Sequence, residues 1–171
     1  MELLKMKNVL VGALLFLGGV AVAGEPVKVL YVVDGDTIKV SLNGKKESVR
    51  LIGVDTPESK INPKAKKDAA RSRQDVKKIV SLGKKAADFT KSIVKPGDMV
   101  TLEQDVEGRD HYGRILAYVH LKSGEMLNEK IIASGYASPM TIPPNVKHQE
   151  LFLKAYRAAR AGNLGLWAIA P

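Results

Sequence analysis

The chain contains no cysteine, and only 5% of its 171 residues are aromatic. The first absence excludes disulfides, thiolate nucleophiles and thiolate-bound metals. Stability must therefore come from an apolar core, helped at most by a bound ion. The second leaves few flat side chains on which single-stranded bases can stack. Histidine is also scarce, and the three present, His111, His120 and His148, show no ligand spacing. Acidic residues are the minority charge, 18 against 27 lysines and arginines, and the net charge is +9. Such an excess favours an anionic partner without naming one. Repeats and low-complexity tracts are absent.

There is one long apolar run. Lys5 and Lys7 precede an uncharged stretch from Val9 to Val20, and the small-x-small triplet Ala21-Val22-Ala23 follows. This order is that of a secretory signal peptide. The run falls short of the ~20 residues of a spanning helix, and without cysteine no lipid can be attached there. The expectation is a signal peptide over 1–23 and one compact domain over 24–171. That domain is expected to be exported to the periplasm or beyond, monomeric, and without stable membrane insertion after cleavage. The leader holds two lysines and one glutamate, so it accounts for little of the charge.

Alternating apolar residues from Val27 to Val33, a β-branched run from Thr37 to Leu42 and a return from Lys45 to Val54 predict three strands. Asn43-Gly44 marks the hairpin between the second and third. Ala65, Ala69, Ala70, Val76, Ile79 and Val80 recur at helical spacing, and a further helix is expected over about 84–94, before Pro96-Gly97. Met99–Leu102 and Ile115–Leu121 read as strands, and 126–134 and 145–161 as helices. The order predicts an α+β fold, a five-stranded OB-like β-barrel with about three helices.

Two turns carry the acids. Asp34-Gly35-Asp36-Thr37 joins the first two strands, and Asp55-Thr56-Pro57-Glu58 follows the third. In a meander, Asp36 and Asp55 become neighbours, and their repulsion calls for a cation between them. With oxygen ligands only, that cation is hard, such as calcium or magnesium. Either tetrapeptide alone is equally ordinary turn chemistry. An EF-hand is excluded, since the fifth, sixth and twelfth positions from Asp34 are Ile38, Lys39 and Lys45. Arg50 lies in the third strand and Arg114 opens the fifth. Each alone fits an ion pair. Together with acids and a metal they suit phosphodiester hydrolysis, in which planar guanidinium groups stabilise charge building on phosphate.

Three ordered blocks resemble the signatures of the staphylococcal thermonuclease family. They are Val32-Val33-Asp34-Gly35-Asp36-Thr37, the run from Val49 to Glu58, and Tyr112-Gly113-Arg114-Ile115-Leu116-Ala117-Tyr118-Val119. Leu127-Asn128-Glu129, Gly135-Tyr136-Ala137 and Leu164-Gly165-Leu166-Trp167 extend the resemblance to about Val27–Trp167. It implies a calcium-dependent endonuclease cutting DNA, RNA or both and leaving 3′-phosphates. It implies that Asp36 and Asp55 bind calcium with the Thr56 carbonyl, and that Asp34 lies beside the ion. Glu58 matches the residue that orients the attacking water. Arg50 and Arg114 match the phosphate-binding arginines, and Tyr112 a tyrosine of the nucleotide site.

The chain departs from the family pattern twice. Residues 138–144, before the last helix, contain no aromatic. The loop after Glu58 is longer, and residues 60–85 hold ten lysines and arginines against two aspartates. Lys64, Lys66, Lys67, Arg71 and Arg73 there are either backbone-phosphate contacts or a solvated helix face, and the first three are expected substrate-binding residues. The rival function is a non-catalytic nucleic-acid-binding OB-type domain.

Overall fold

The computed structural model describes Gly24 and residues 26–168; the expected signal peptide lies outside them. Five strands close into a barrel in the order β1-β2-β3-β6-β5. They are β1 (Pro26–Asp34), β2 (Thr37–Leu42), β3 (Lys45–Leu51), β5 (Met99–Glu103) and β6 (Ile115–Leu121). β3 and β6 run parallel, and every other barrel pair is antiparallel. Period-two patterning sends Val27, Val29, Ile38, Val40, Val49, Leu51, Val100 and Val119 into the interior. Register shifts at Val29/Tyr31 and Val32/Asp34 bend β1, the usual effect of a bulge, so that it pairs with β5 at one end and β2 at the other.

The third expected strand is two. It breaks at Ile52, and Gly53 adopts a φ of +75°. A Cβ on Gly53 would also stand 2.6 Å from the Phe152 ring. From there β4 (Gly53–Asp55) leaves the barrel and pairs with β7 (Ser138–Met140), with Asp55 opposite Ser138. Buried Asn128 secures the break. It accepts from the Val119 amide at 2.9 Å and donates to the Ile52 carbonyl at 2.9 Å.

Among the described residues four α-helices surround the barrel rather than about three: α1 (Pro63–Ser72), α2 (Val76–Ile93), α3 (Leu127–Ala133) and α4 (Gln149–Ala161). Asn62 caps α1 and Asp75 caps α2, each by accepting a backbone amide, while Arg73 closes α1 in the left-handed region. The helical break therefore falls at residues 73–75, and α2 runs unbroken through the expected start at 84. Its Gly83 is a close-packing point, since a Cβ there would lie 2.2 Å from the Glu58 carbonyl oxygen. α4 starts later than expected because Asn145 is engaged elsewhere, exchanging two hydrogen bonds with the Glu107 backbone.

A charge cluster joins barrel to helix. Glu103 on β5 meets His120 on β6 at 2.6 Å, and Lys147 and His148 just before α4. Burial by itself would raise the Glu103 carboxyl, but hydrogen bonds from Lys147, His120 and His148 outweigh it. They bring it from 4.5 down to about 2. Above its unfolded value the carboxylate is ionised in both states and contributes fully. As pH falls toward the folded value the unfolded chain takes up the proton first, and that stability is lost. Across this acid window the melting temperatures of wild type and Glu103→Gln should converge, as differential scanning calorimetry can follow; a constant gap would rule out the linkage. Gly83→Ala should push the Glu58–Ser59 segment off α2, destabilising the fold by about 1–3 kcal/mol as overpacking does. Its denaturant midpoint checks this.

Candidate active site

The β1–β2 turn and the end of β4 meet at one end of the barrel. Thr90 of α2 donates its hydroxyl to the Gly35 carbonyl at 2.8 Å and so pins the turn. Asp36 is buried but well supplied with donors. Its Oδ1 accepts from the Thr37 hydroxyl at 3.0 Å, and its Oδ2 from the Thr56 amide and hydroxyl at 3.1 and 3.0 Å. A guanidinium nitrogen of Arg50 stands 3.3 Å from the same oxygen and 4.0 Å from Asp55 Oδ1. The expected approach of the two aspartates is thus present, bridged by Arg50. Asp34 lies behind them, accepting from the Gly35 amide at 2.8 Å. Burial, reinforced by neighbouring Asp36 and Glu58, raises its carboxyl above the usual value despite backbone hydrogen bonds.

Around Asp55 the oxygens face a cation of the chain itself. The Lys64 ammonium lies 3.2 Å from Asp55 Oδ1, 3.4 Å from Glu58 Oε1 and 3.3 Å from Asp68 Oδ2. It also donates to the Thr56 carbonyl at 3.2 Å. Burial works against its charge, but Asp55, Asp68 and Glu58 outweigh it and hold the ammonium above lysine's ordinary value. Asp55 Oδ1 is buried, and no hydrogen bond reaches it with good geometry; its contact with Lys64 is ionic. Two carboxylates and a carbonyl, one oxygen lacking a hydrogen bond, are a donor set that fits a hard cation. Among the described residues no three histidine or carboxylate side chains form a ready-made metal cage. Glu58 is oriented from its other oxygen, which accepts from the Asn62 amide group at 2.7 Å.

A cleft of about 560 Å³ opens beside this cluster. Leu51, Ile52, Leu116 and Met140 line it together with Arg50 and Arg114. Arg50 is the shared wall. One terminal nitrogen serves the carboxylates, and the other donates to the Leu51 and Val54 carbonyls at 3.0 and 2.7 Å. Arg114 is held through Nε by Asp110 at 2.7 Å, and no hydrogen bond among the described residues engages its terminal nitrogens. Burial opposes the Asp110 charge, but Arg114 outweighs it and keeps this carboxyl low. Tyr112 is 73% exposed, with the Arg114 guanidinium 5.4 Å from its ring centre.

The structure therefore brings Asp36, Asp55, Thr56, Glu58 and Arg50 together, and sets Arg114 across the adjoining cleft. Lys66, Lys67, Arg71 and Arg73 are exposed on and just after α1. Lys64 is separated from them, turned into the carboxylates. Sequence reasoning missed Asn62 and Asp68, which brace Glu58 and Lys64. The signals existed: Asn62-Pro63 is a helix start, and Lys64 and Asp68 are one turn apart. Arg109 was also missed; it lines the cleft but is tied to Glu47 at 3.1 Å.

Known proteins resemble the chain over most of its length. The model of the family described as staphylococcal nuclease homologue matches residues 48–169. The chain is 39% identical over 141 residues to a thermonuclease of Staphylococcus hyicus, covering 82% of this chain and 75% of that protein. It is 40% identical over 146 residues to a thermonuclease of Staphylococcus intermedius, covering 85% and 78%. With endonuclease YhcR of Bacillus subtilis it shares 36% identity over 140 residues, 80% of this chain but 11% of that much longer protein. With a barrel, an acidic turn and a family match that spans most of its length, the chain belongs to the staphylococcal nuclease family.

Proposed function

We propose that the protein is a nuclease, an endonucleolytic phosphodiesterase that hydrolyses DNA, RNA or both with a bound calcium ion. The observation that carries this reading is the position of Arg50, which touches Asp36 on one side and lines the Arg114 cleft on the other. On this reading the groups proposed to bind phosphate and the oxygens proposed to bind the cation lie within one side chain of each other. The relatives named thermonuclease and endonuclease support it.

In this reading Asp36, Asp55 and the Thr56 carbonyl hold the ion. A divalent cation there supplies Lewis acidity toward a phosphate oxygen and a water molecule. Glu58, steadied by Asn62, orients the attacking water and accepts its proton. Arg50 and Arg114 bind the non-bridging oxygens and stabilise the charge that builds as water adds to phosphorus. The bond from phosphorus to the leaving sugar oxygen breaks, and that oxygen takes its proton from solvent water, since both arginines stay protonated throughout and neither serves as the acid. Tyr112, exposed beside the Arg114 guanidinium, faces the nucleotide in this reading. The exposed Lys66, Lys67, Arg71 and Arg73 follow the phosphate backbone beyond the scissile bond. The leader implies an exported protein, which in this reading acts as a monomer, and no helix among the described residues is long and apolar enough to cross a membrane.

Plasmid DNA should be cut in calcium and left intact with chelator; tight binding without cutting would make the protein a non-catalytic binder. Asp36→Ala and Asp55→Ala should each weaken calcium binding in calorimetric titration, and unchanged affinity in both would remove the metal assignment. Arg50→Lys and Arg114→Lys should lower kcat on the order of a hundredfold with the circular dichroism spectrum kept. Replacing Lys66, Lys67, Arg71 and Arg73 with glutamine should raise KM on long DNA and flatten its salt dependence. Turnover of a dinucleotide-sized substrate should stay the same. Unaltered salt dependence would make the segment a solvated face.

A further inference from the structure

Lys64 occupies a position that its neighbours do not share. Its side chain is 38% exposed, yet its ammonium stands among four oxygens from Asp55, Thr56, Glu58 and Asp68 at 3.2 to 3.4 Å. Two of these, on Asp55 and Thr56, are oxygens assigned above to the divalent ion, and a third belongs to the water-orienting Glu58. The placement is built in. Asn62 accepts the Ala65 amide at 2.8 Å, which fixes the start of α1, and holds Glu58 with its own amide group at 2.7 Å. Pro63 follows as the first helical residue, so Lys64 leaves the first turn directly beside the carboxylates. Asp68, one turn on, steadies the ammonium from outside the proposed ligand set.

We propose that Lys64 is a tethered cation that fills the carboxylate cluster when no metal is bound and must swing out before a divalent ion can enter. This rests on the metal-binding reading above. An ammonium and a divalent ion cannot share the same oxygens, because their repulsion at such separation is large. Partial exposure leaves Lys64 a path to solvent. The chain thus carries its own competitor, which stabilises the metal-free protein and lowers apparent metal affinity by the fraction of time the lysine is out. Lys64 acts here as a positioning residue that sets the calcium requirement.

Three measurements on the full domain test it. By calorimetry, Lys64→Gln should bind calcium roughly tenfold more tightly than wild type, as expected for a site otherwise open about a tenth of the time. In chelator its melting temperature should fall below that of wild type, while the calcium-saturated proteins melt together. In the wild type, amine acetylation at Lys64, read by peptide mass spectrometry, should be slow in chelator and rise when calcium is added. Equal calcium affinity in the two proteins overturns the proposal and leaves the metal reading intact. So does acetylation of Lys64 that calcium does not alter, since the lysine and the ion would then coexist. If neither protein binds calcium, the metal reading falls and this proposal falls with it.

Discussion

Gathering Asp34, Asp36, Asp55 and Glu58 at one end of a small barrel costs free energy, because like charges in a partly dry site repel. Much of the surrounding structure compensates that cost. Arg50 divides itself between Asp36, Asp55 and two backbone carbonyls. Thr37 and Thr56 donate to Asp36, and Lys64 stands among the oxygens of Asp55, Thr56 and Glu58. Asp34 is the least compensated and responds by an upward shift of its carboxyl.

The barrel and helices act as the frame for that cluster. β1 is bulged so that its last residues turn toward β4, and β4 leaves the barrel at Gly53 to carry Asp55 outward onto the β7 ribbon. Asn128, buried and fully hydrogen-bonded, keeps this departure in register. α2 contributes at two points, with Thr90 on the Gly35 carbonyl and Gly83 under the Glu58 backbone. Small side chains on α2 thus decide how closely the helix approaches, and with it where Glu58 can sit. The cleft on the other side of Arg50 sets the guanidinium groups of Arg50, Arg109 and Arg114 among the apolar side chains of Leu51, Ile52, Leu116 and Met140.

The amino-acid pattern alone determined the barrel and the two acidic turns. Strand periodicity is a local signal, and Asp-Gly-Asp-Thr and Asp-Thr-Pro-Glu flank adjacent strands whose pairing follows from one hairpin turn. It also placed Arg50 on a strand, where an arginine among apolar neighbours needs an anionic partner, and Arg114 at the entry to another, which it precedes by one residue. The break at Gly53, the β4–β7 ribbon and the late start of α4 were not legible. They depend on Phe152, Asn128 and Glu107, residues far away in the sequence. Lys64 shows the difference most sharply. Along the chain it is one more cation in a basic segment of ten lysines and arginines, set apart from Lys66 and Lys67 only by an aspartate four residues on. Only the tertiary structure separated it from them. The start of α1, fixed by Asn62 against Glu58, turns that one side chain toward the carboxylates and leaves its neighbours in solvent, because helical rotation of about 100° per residue sends adjacent positions to different faces.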